Sequence, residues 1–341
     1  MRHFFAASAA TLCMFAGQAV AETYNSTALR IENAAAEITV IPENRTDIDV
    51  QLGDTGRLPA LSVRQTADGL VIDGGLRNRI RGCGSGIGSG DGVRIAGIGT
   101  VRRQDLPRIT VRVPRALNYR SGGAVYSTIG ASSGGSVQLN GCGDATVEAA
   151  SGALDISLNG SGSGRVERVR GALEATVNGS GSLRVAAADA DAVLRLNGSG
   201  ELDIAAVAGR LDARAAGSGS LQSGAVGGDT RLSLTGSGGV EVGSIAGALD
   251  AELRGSGSMR VASVTGAHAR LQLSSSGDIN VRGGRVGQLD ARSSGSGSVR
   301  FGGAAETTRA NLSGSGSITI ADAGRVEQLI DNGSGSINVG R

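Results

Sequence analysis

The chain of 341 residues contains no tryptophan and no lysine, four prolines, two histidines, three cysteines and only seven aromatic side chains. Without large aromatics, an ordinary layered globule of this length lacks its usual core fillers, and a sugar-processing cleft lacks the rings that stack on pyranose faces. Four prolines exclude a collagen-type triple helix despite the abundance of glycine. Neither charge dominates, with 33 basic against 31 acidic residues for a net +2, so nucleic acid is excluded as an expected partner. Beyond the N-terminus no apolar run approaches the ~20 residues that cross a bilayer as a helix. What the chain has instead is glycine, 58 of 341 residues, about 17 % against the ~7 % of average proteins.

The first residues read as an export signal occupying 1–21. Arg2 gives a positive start, an apolar stretch runs from Phe4 to Gly17, and Ala19-Val20-Ala21 is a small-x-small cleavage site. The shortness of the stretch disfavours a retained anchor, and Leu12 disfavours a lipid anchor on Cys13. Removal of 1–21 leaves Tyr24, Tyr119, Tyr126 and Phe301 as the aromatics and Cys83 and Cys142 as the cysteines. Two cysteines in an exported, oxidising setting predict a Cys83–Cys142 disulfide, the alternative being two buried or free thiols. The expected location is the periplasm, the cell surface or the medium.

One motif then recurs along the chain. The last glycine of each Gly-Ser-Gly, or of Ser276-Gly277 in one coil, counted from Gly143, falls at Gly162, Gly181, Gly200, Gly219, Gly238, Gly257, Gly277, Gly297, Gly316 and Gly335, spaced by 19 residues with two steps of 20. A Gly/Ser linker would show no phase, whereas here apolar residues hold fixed offsets from that glycine. Offset two carries Leu183, Leu202, Leu221, Val240, Met259 and Ile279, and offset seven carries Val169, Val207, Val226, Ile245 and Val264. A second glycine recurs at offset nine, as in Gly152, Gly171, Gly209 and Gly228. Period-two runs broken by residues that tolerate positive φ predict two or three short strands per unit. Such a unit cannot bury its apolar face alone, so copies stack, each strand pairing in parallel with its equivalent one coil on. The expected fold is all-β, a parallel β-helix of about eleven coils over 116–341, about 50 Å long at ~4.8 Å per coil. A functional-amyloid-like assembly is a lesser alternative, weakened by the scarcity of Gln and Asn.

Over 22–115 the beat is absent, although alternation persists in Glu37-Ile38-Thr39-Val40-Ile41, Ile48-Asp49-Val50 and Arg108-Ile109-Thr110-Val111-Arg112-Val113. Irregular β coils that cap the first edge are expected there. Within them 77–105 is rich in Gly and Arg and is expected to be a solvated loop tethered by Cys83. Its functional reading is an anion or acidic-glycan contact through Arg77, Arg79, Arg81, Arg102 and Arg103.

The opening Ala28-Leu29-Arg30-Ile31-Glu32-Asn33, the Arg-Ile-Thr-Val-Arg-Val-Pro lead-in at 108–114 and the Gly-Ser-Gly coils together resemble the head GIN domain family, described as putative autotransporter adhesins. The resemblance implies a single-stranded right-handed β-helix and supplies no catalytic residues. An autotransporter also needs a C-terminal membrane barrel, which no part of 22–341 provides, so a periplasmic or released protein is favoured.

For chemistry, His268 is the single histidine after residue 21, and alternation places it outward on one coil. Nothing in the spacing brings it to Cys83 and Cys142 as a zinc site or into a triad. Asp212, Asp250 and Asp290 each follow an inward Leu and are expected on one outer face, interleaved with Arg. The sequence therefore predicts no catalytic residue, no metal and no cofactor. It predicts a non-enzymatic exported adhesin or envelope-binding module whose ligand is an envelope, glycan or surface component. A polysaccharide lyase or hydrolase is the alternative, and an open last coil invites end-to-end self-association.

Overall fold

A computed structural model describes residues 22–86 and 89–340, so the export-signal reading of 1–21 lies outside the described residues. The chain is nearly all β and forms a solenoid of about 12 turns at ~19-residue spacing. From residue 134 on, most coils carry two strands, such as Leu154–Gly160 and Ser163–Val169, joined at the Gly-Ser-Gly corner. Each strand pairs in parallel with its equivalent one coil on: Leu154–Gly160 with Leu173–Gly179, and Ser163–Val169 with Ser182–Val185. The second glycine marks the other corner, giving two main walls rather than three.

The two glycines of each Gly-Ser-Gly corner are there for different reasons. From Gly160 to Gly255 the first takes positive φ, between 116° and 148° at Gly160, Gly179, Gly198, Gly217, Gly236 and Gly255, a region L side chains avoid. In the final corners Gly295, Gly314 and Gly333 do not, and a Cβ on them would meet the carbonyl oxygen one coil below. The last, the column from Gly162 to Gly335, has ordinary φ. A Cβ there would lie well under 3.0 Å from the carbonyl oxygen of the glycine one coil below, as with Gly181 over Gly162. That column is glycine because stacked backbones touch.

The core is a thin slab of in-register columns. One wall stacks Ala175, Leu194, Ala213, Leu232, Ala251, Leu271 and Ala291, alternating small and large so that successive layers interlock. The opposite wall stacks Leu183, Leu202, Leu221, Val240, Met259 and Ile279. Thr308 stands in an inward column between Leu289 and Val326, fully buried, and its hydroxyl has no hydrogen-bond partner. Thr308→Val keeps the shape and removes that orphan, so we expect a gain of about 1 kcal/mol in chemical denaturation. An unchanged or lower midpoint would show that the hydroxyl is satisfied in solution.

The capped end departs from chain order. Gly69–Asp73 pairs with the first part of Leu29–Glu43, and Arg108–Pro114 with its last part. Ala116–Ile129 stacks on the other side of Leu29–Glu43. The first long strand thus lies inside the stack, and the segments that follow it form the terminal coil. Antiparallel strands close that coil: Ser62–Thr66 on Gly69–Asp73, and Ile48–Leu52 on Arg108–Pro114, itself edged by Glu22–Tyr24. Inside, Tyr119 reaches across the slab and its hydroxyl pairs with that of Ser127 at 2.7 Å.

Burial pushes the Tyr119 phenol up to about 12, the hydrogen bonds of Ser127 and Ser121 opposing. Between an unfolded value near 10 and this one, the folded chain holds the proton longer, so stability is full below pH 10 and falls as pH rises toward 12. The loss is on the order of 2–3 kcal/mol. With no lysine in the chain, no ammonium side chain obscures that window. Alkaline unfolding of the parent and of Tyr119→Phe should show the slope shrinking in the variant, and equal slopes would refute this origin.

The 77–105 excursion is not the solvated loop its composition implies. Ile80–Gly86, Ser89–Ile95 and Gly99–Arg102 form a three-stranded antiparallel sheet. Its Val93, Ile95 and Val101 make a second small core with Leu58, Leu76, Leu106 and with Ala35, Ala124 and Tyr126 on the outer face of the solenoid. Cys83 and Cys142 are disulfide-bonded, with Cα atoms 5.6 Å apart, and pin this sheet to the first regular coils. At the far end, Val326 and Leu329 are the exposed large hydrophobics among the described residues.

Candidate functional site

The sheet pinned by the disulfide overhangs one wall of the solenoid, and the space beneath it is a groove of about 710 Å³. This lies within the ~300–1,000 Å³ typical of ligand sites. Its floor is made by the backbone of Gly122, Gly123, Gly141 and Gly160, and Ile80 and Cys142 add apolar surface. Three arginines line it, Arg77, Arg81 and Arg120, all exposed and none ion-paired among the described residues. The acid present, Glu32, is engaged by Arg64 at 3.4 Å.

The backbone around the groove is irregular where it matters. The pairing of Leu29–Glu43 with Ala116–Ile129 shifts between Ser121 and Gly123, so that Glu32 and Asn33 together oppose Gly122 in a β-bulge. Asn33 and Arg77 are the two non-glycine residues with positive φ among the described residues, at 51° and 37°, and both line the groove. Local bonds hold this geometry. Asn33 Nδ2 donates to Asp73 Oδ1 at 3.3 Å, the Gly75 amide donates to the same oxygen at 2.8 Å, and the Leu76 amide donates to the Asn33 carbonyl at 2.9 Å. Buried Leu76 anchors the turn Arg77–Arg79 in the small core. Strain of this kind gathers where a structure holds a shape for use.

The five arginines expected to form an anion contact separate into two groups. Arg77 and Arg81 line the groove. Arg79 instead donates through Nε to the Ala96 carbonyl at 3.0 Å, and Arg102 pairs with Asp105 at 2.9 Å. Arg103 pairs with Glu37 at 2.9 Å and lies 4.3 Å from the Tyr126 ring centroid, clamping the sheet to the solenoid. Arg120 was not foreseen, because it lies in a strand 39 residues beyond Arg81 and only the overhang brings them together. A trough of about 370 Å³ continues past Cys142 and Ser161, lined by Gly162, Ser163, Ser180, Ser182 and Asp144. Asp144 Oδ1 accepts from the Ser163 hydroxyl at 2.5 Å.

Along the regular coils one outer column pairs charge with charge. The column Asp212, Arg231, Asp250, Arg270, Asp290, Arg309 alternates in sign in strict register, and Arg270 meets Asp250 at 3.1 Å. His268 is half-buried beside this column in a cleft of about 430 Å³. Among the acids there, Asp191 accepts from the Arg210 amide and Asp229 from the Ala248 amide, both through Oδ1, while Asp212 Oδ1 has no hydrogen-bond partner among the described residues. Asp155 and Glu174 stack in register. Desolvation, then Glu174, raises the Asp155 carboxyl above its usual range, with Arg195 opposing. Among the described residues no group of three or more His, Cys, Asp or Glu is placed to hold a metal ion.

A ladder that sequence reading passed over follows the same wall. Asn159, Asn178 and Asn197 each donate through Nδ2 to the Oδ1 of the asparagine one coil below, at 2.8–2.9 Å, starting from Asn140. The signal was the 19-residue recurrence of Asn before Gly-Ser-Gly, visible in the sequence but read there only as part of the turn.

No helix among the described residues is long and apolar enough to cross a membrane. No curated protein and no solved structure matches the chain. The family model described as "Putative auto-transporter adhesin, head GIN domain" matches residues 249–340, which are solenoid coils throughout. Over 249–340 the chain is thus similar to the head GIN domain family.

Proposed function

We propose that this protein is an exported, non-enzymatic binding module of adhesin type, in which the solenoid is a stiff post and the bulge groove at its capped end takes an anionic partner. The observation that carries this reading is the convergence of Arg77, Arg81 and Arg120, none ion-paired among the described residues, on a groove whose backbone is locked in an irregular shape. The adhesin description of the matched family supports the adhesive role, and the ladders supply a rigid display surface.

Arginine forks without a partner are matched to carboxylate, sulfate or phosphate groups. Export is tested by fractionating cells and assaying the medium for shed protein. Purified protein should bind envelope extracts in a manner that weakens with salt as the exposed charges are screened. Binding to no envelope fraction, glycan or surface at low salt would overturn the reading.

A further inference from the structure

We infer that the partner is an acidic polysaccharide, with sugar carboxylates held by Arg77, Arg81 and Arg120 and neighbouring sugar hydroxyls carried along the serine trough. This rests on the anion-binding reading above and narrows its ligand. Two features of the surface distinguish a carboxylated sugar chain from other anions.

The first is the change of character across two adjoining depressions. The groove and the trough share Cys142 and Ser161, so a single extended molecule can lie in both. In the groove the unpaired charge is positive. In the trough the charged side chain is Asp144, among the hydroxyls of Ser161, Ser163, Ser180 and Ser182 and the backbone of Gly162 and Gly181. Polyphosphate, with a charge on every unit and no hydroxyl along its backbone, would meet that carboxylate with nothing to donate and be repelled, whereas a polyuronate brings free ring hydroxyls beside each of its carboxylates. A sugar chain would instead donate its hydroxyl protons to Asp144 and exchange hydrogen bonds with the serines.

The second feature is shape. The floor lacks side chains at Gly122, Gly123, Gly141 and Gly160, which leaves a broad open channel for a polymer strand. The planar guanidinium fork pairs with a planar carboxylate through two parallel hydrogen bonds. Recognition in the groove is by hydrogen bonds and charge, since it has no aromatic lining; the one ring beside the trough, Tyr126, has the Arg103 guanidinium 4.3 Å from its centroid.

The test is titration of the full chain with polygalacturonate, dextran, dextran sulfate and polyphosphate at fixed ionic strength. Polygalacturonate should bind, dextran should not, and polyphosphate should bind at least tenfold more weakly than polygalacturonate. Each of Arg77→Ala, Arg81→Ala and Arg120→Ala should weaken polygalacturonate binding about tenfold, the usual size for a charge-assisted hydrogen bond. All three positions are exposed, so the variants should retain the fold, which circular dichroism checks. Ser180→Tyr, which fills the trough, should lower polygalacturonate affinity. Arg300→Ala, at an exposed arginine outside the groove, should do nothing. If the arginine variants lose dextran sulfate or polyphosphate binding but polygalacturonate does not bind, the polysaccharide inference fails and the anion-binding reading stands. Undiminished binding of every anion by the triple variant overturns both.

Discussion

Gly236→Ala should cost about 4 kcal/mol or more of stability, whereas Gly239→Ser, three residues away, should be neutral or slightly stabilising. At Gly236 two penalties coincide. Its φ is +127°, in a region that costs a residue with a Cβ on the order of 1–3 kcal/mol. An added Cβ would also lie well under 3.0 Å from the Gly217 carbonyl oxygen. That oxygen cannot yield easily, because it accepts from the amides of Ser237 and Gly238, both at 3.0 Å.

Gly239 has neither constraint. Nothing lies within 4 Å of a Cβ built on it, and its register neighbours are Ser220 and Ser258. A side chain there also reduces the freedom of the unfolded chain, a gain of about 0.4–1 kcal/mol. Between them, exposed Ser237→Ala should change stability by less than about 0.5 kcal/mol. Because coils contact only their neighbours, Gly236→Ala should separate unfolding into two steps, one on each side of the lesion. Equal denaturation midpoints for the two glycine variants would show that the corner backbone is not the constraint described.

Replacing both cysteines, Cys83→Ala with Cys142→Ala, should remove about 4 kcal/mol of constraint, the chain-entropy value for a loop of this size. The bridged residues are 59 apart in sequence. The effect should be local. Amides of the three-stranded sheet over 80–102 should lose hydrogen-exchange protection while coils beyond 150 keep theirs, since the regular ladders do not pass through the sheet. The sheet retains its small apolar core and the Arg103 clamp on Glu37 and Tyr126, so it should loosen rather than unfold outright. Arg77 and Arg81 ride on this segment, so anion affinity should fall in parallel. Unchanged protection over 80–102 would show that packing alone holds the sheet.

The regular part of the fold was written in the spacing. A phase of 19 residues puts Leu183 under Leu202 and Gly181 over Gly162, and parallel pairing at that offset satisfies every strand in the same way. Which glycine of the corner takes positive φ was not readable, because Gly160 and Gly162 are chemically identical and only the path of the chain between walls distinguishes them. The sheet over 80–102 was hidden for a related reason. Its strands are built mostly of glycine and polar residues, and Val93, Ile95 and Val101 become a pattern only against Ala35, Ala124 and Tyr126.

By itself the sequence determined the solenoid, its glycine-marked turns and the inward columns, since these depend on local period and on identical neighbours. Cys83 and Cys142 were legible as a pair by simple count. Tertiary structure decided the rest: that Leu29–Glu43 lies inside the stack, that a bulge at Asn33 faces Gly122, and that Arg120 stands beside Arg77 and Arg81. The physical reason is that the capped end is aperiodic. Its contacts join segments whose separation follows no repeat, so no spacing in the chain announces which side chains will meet.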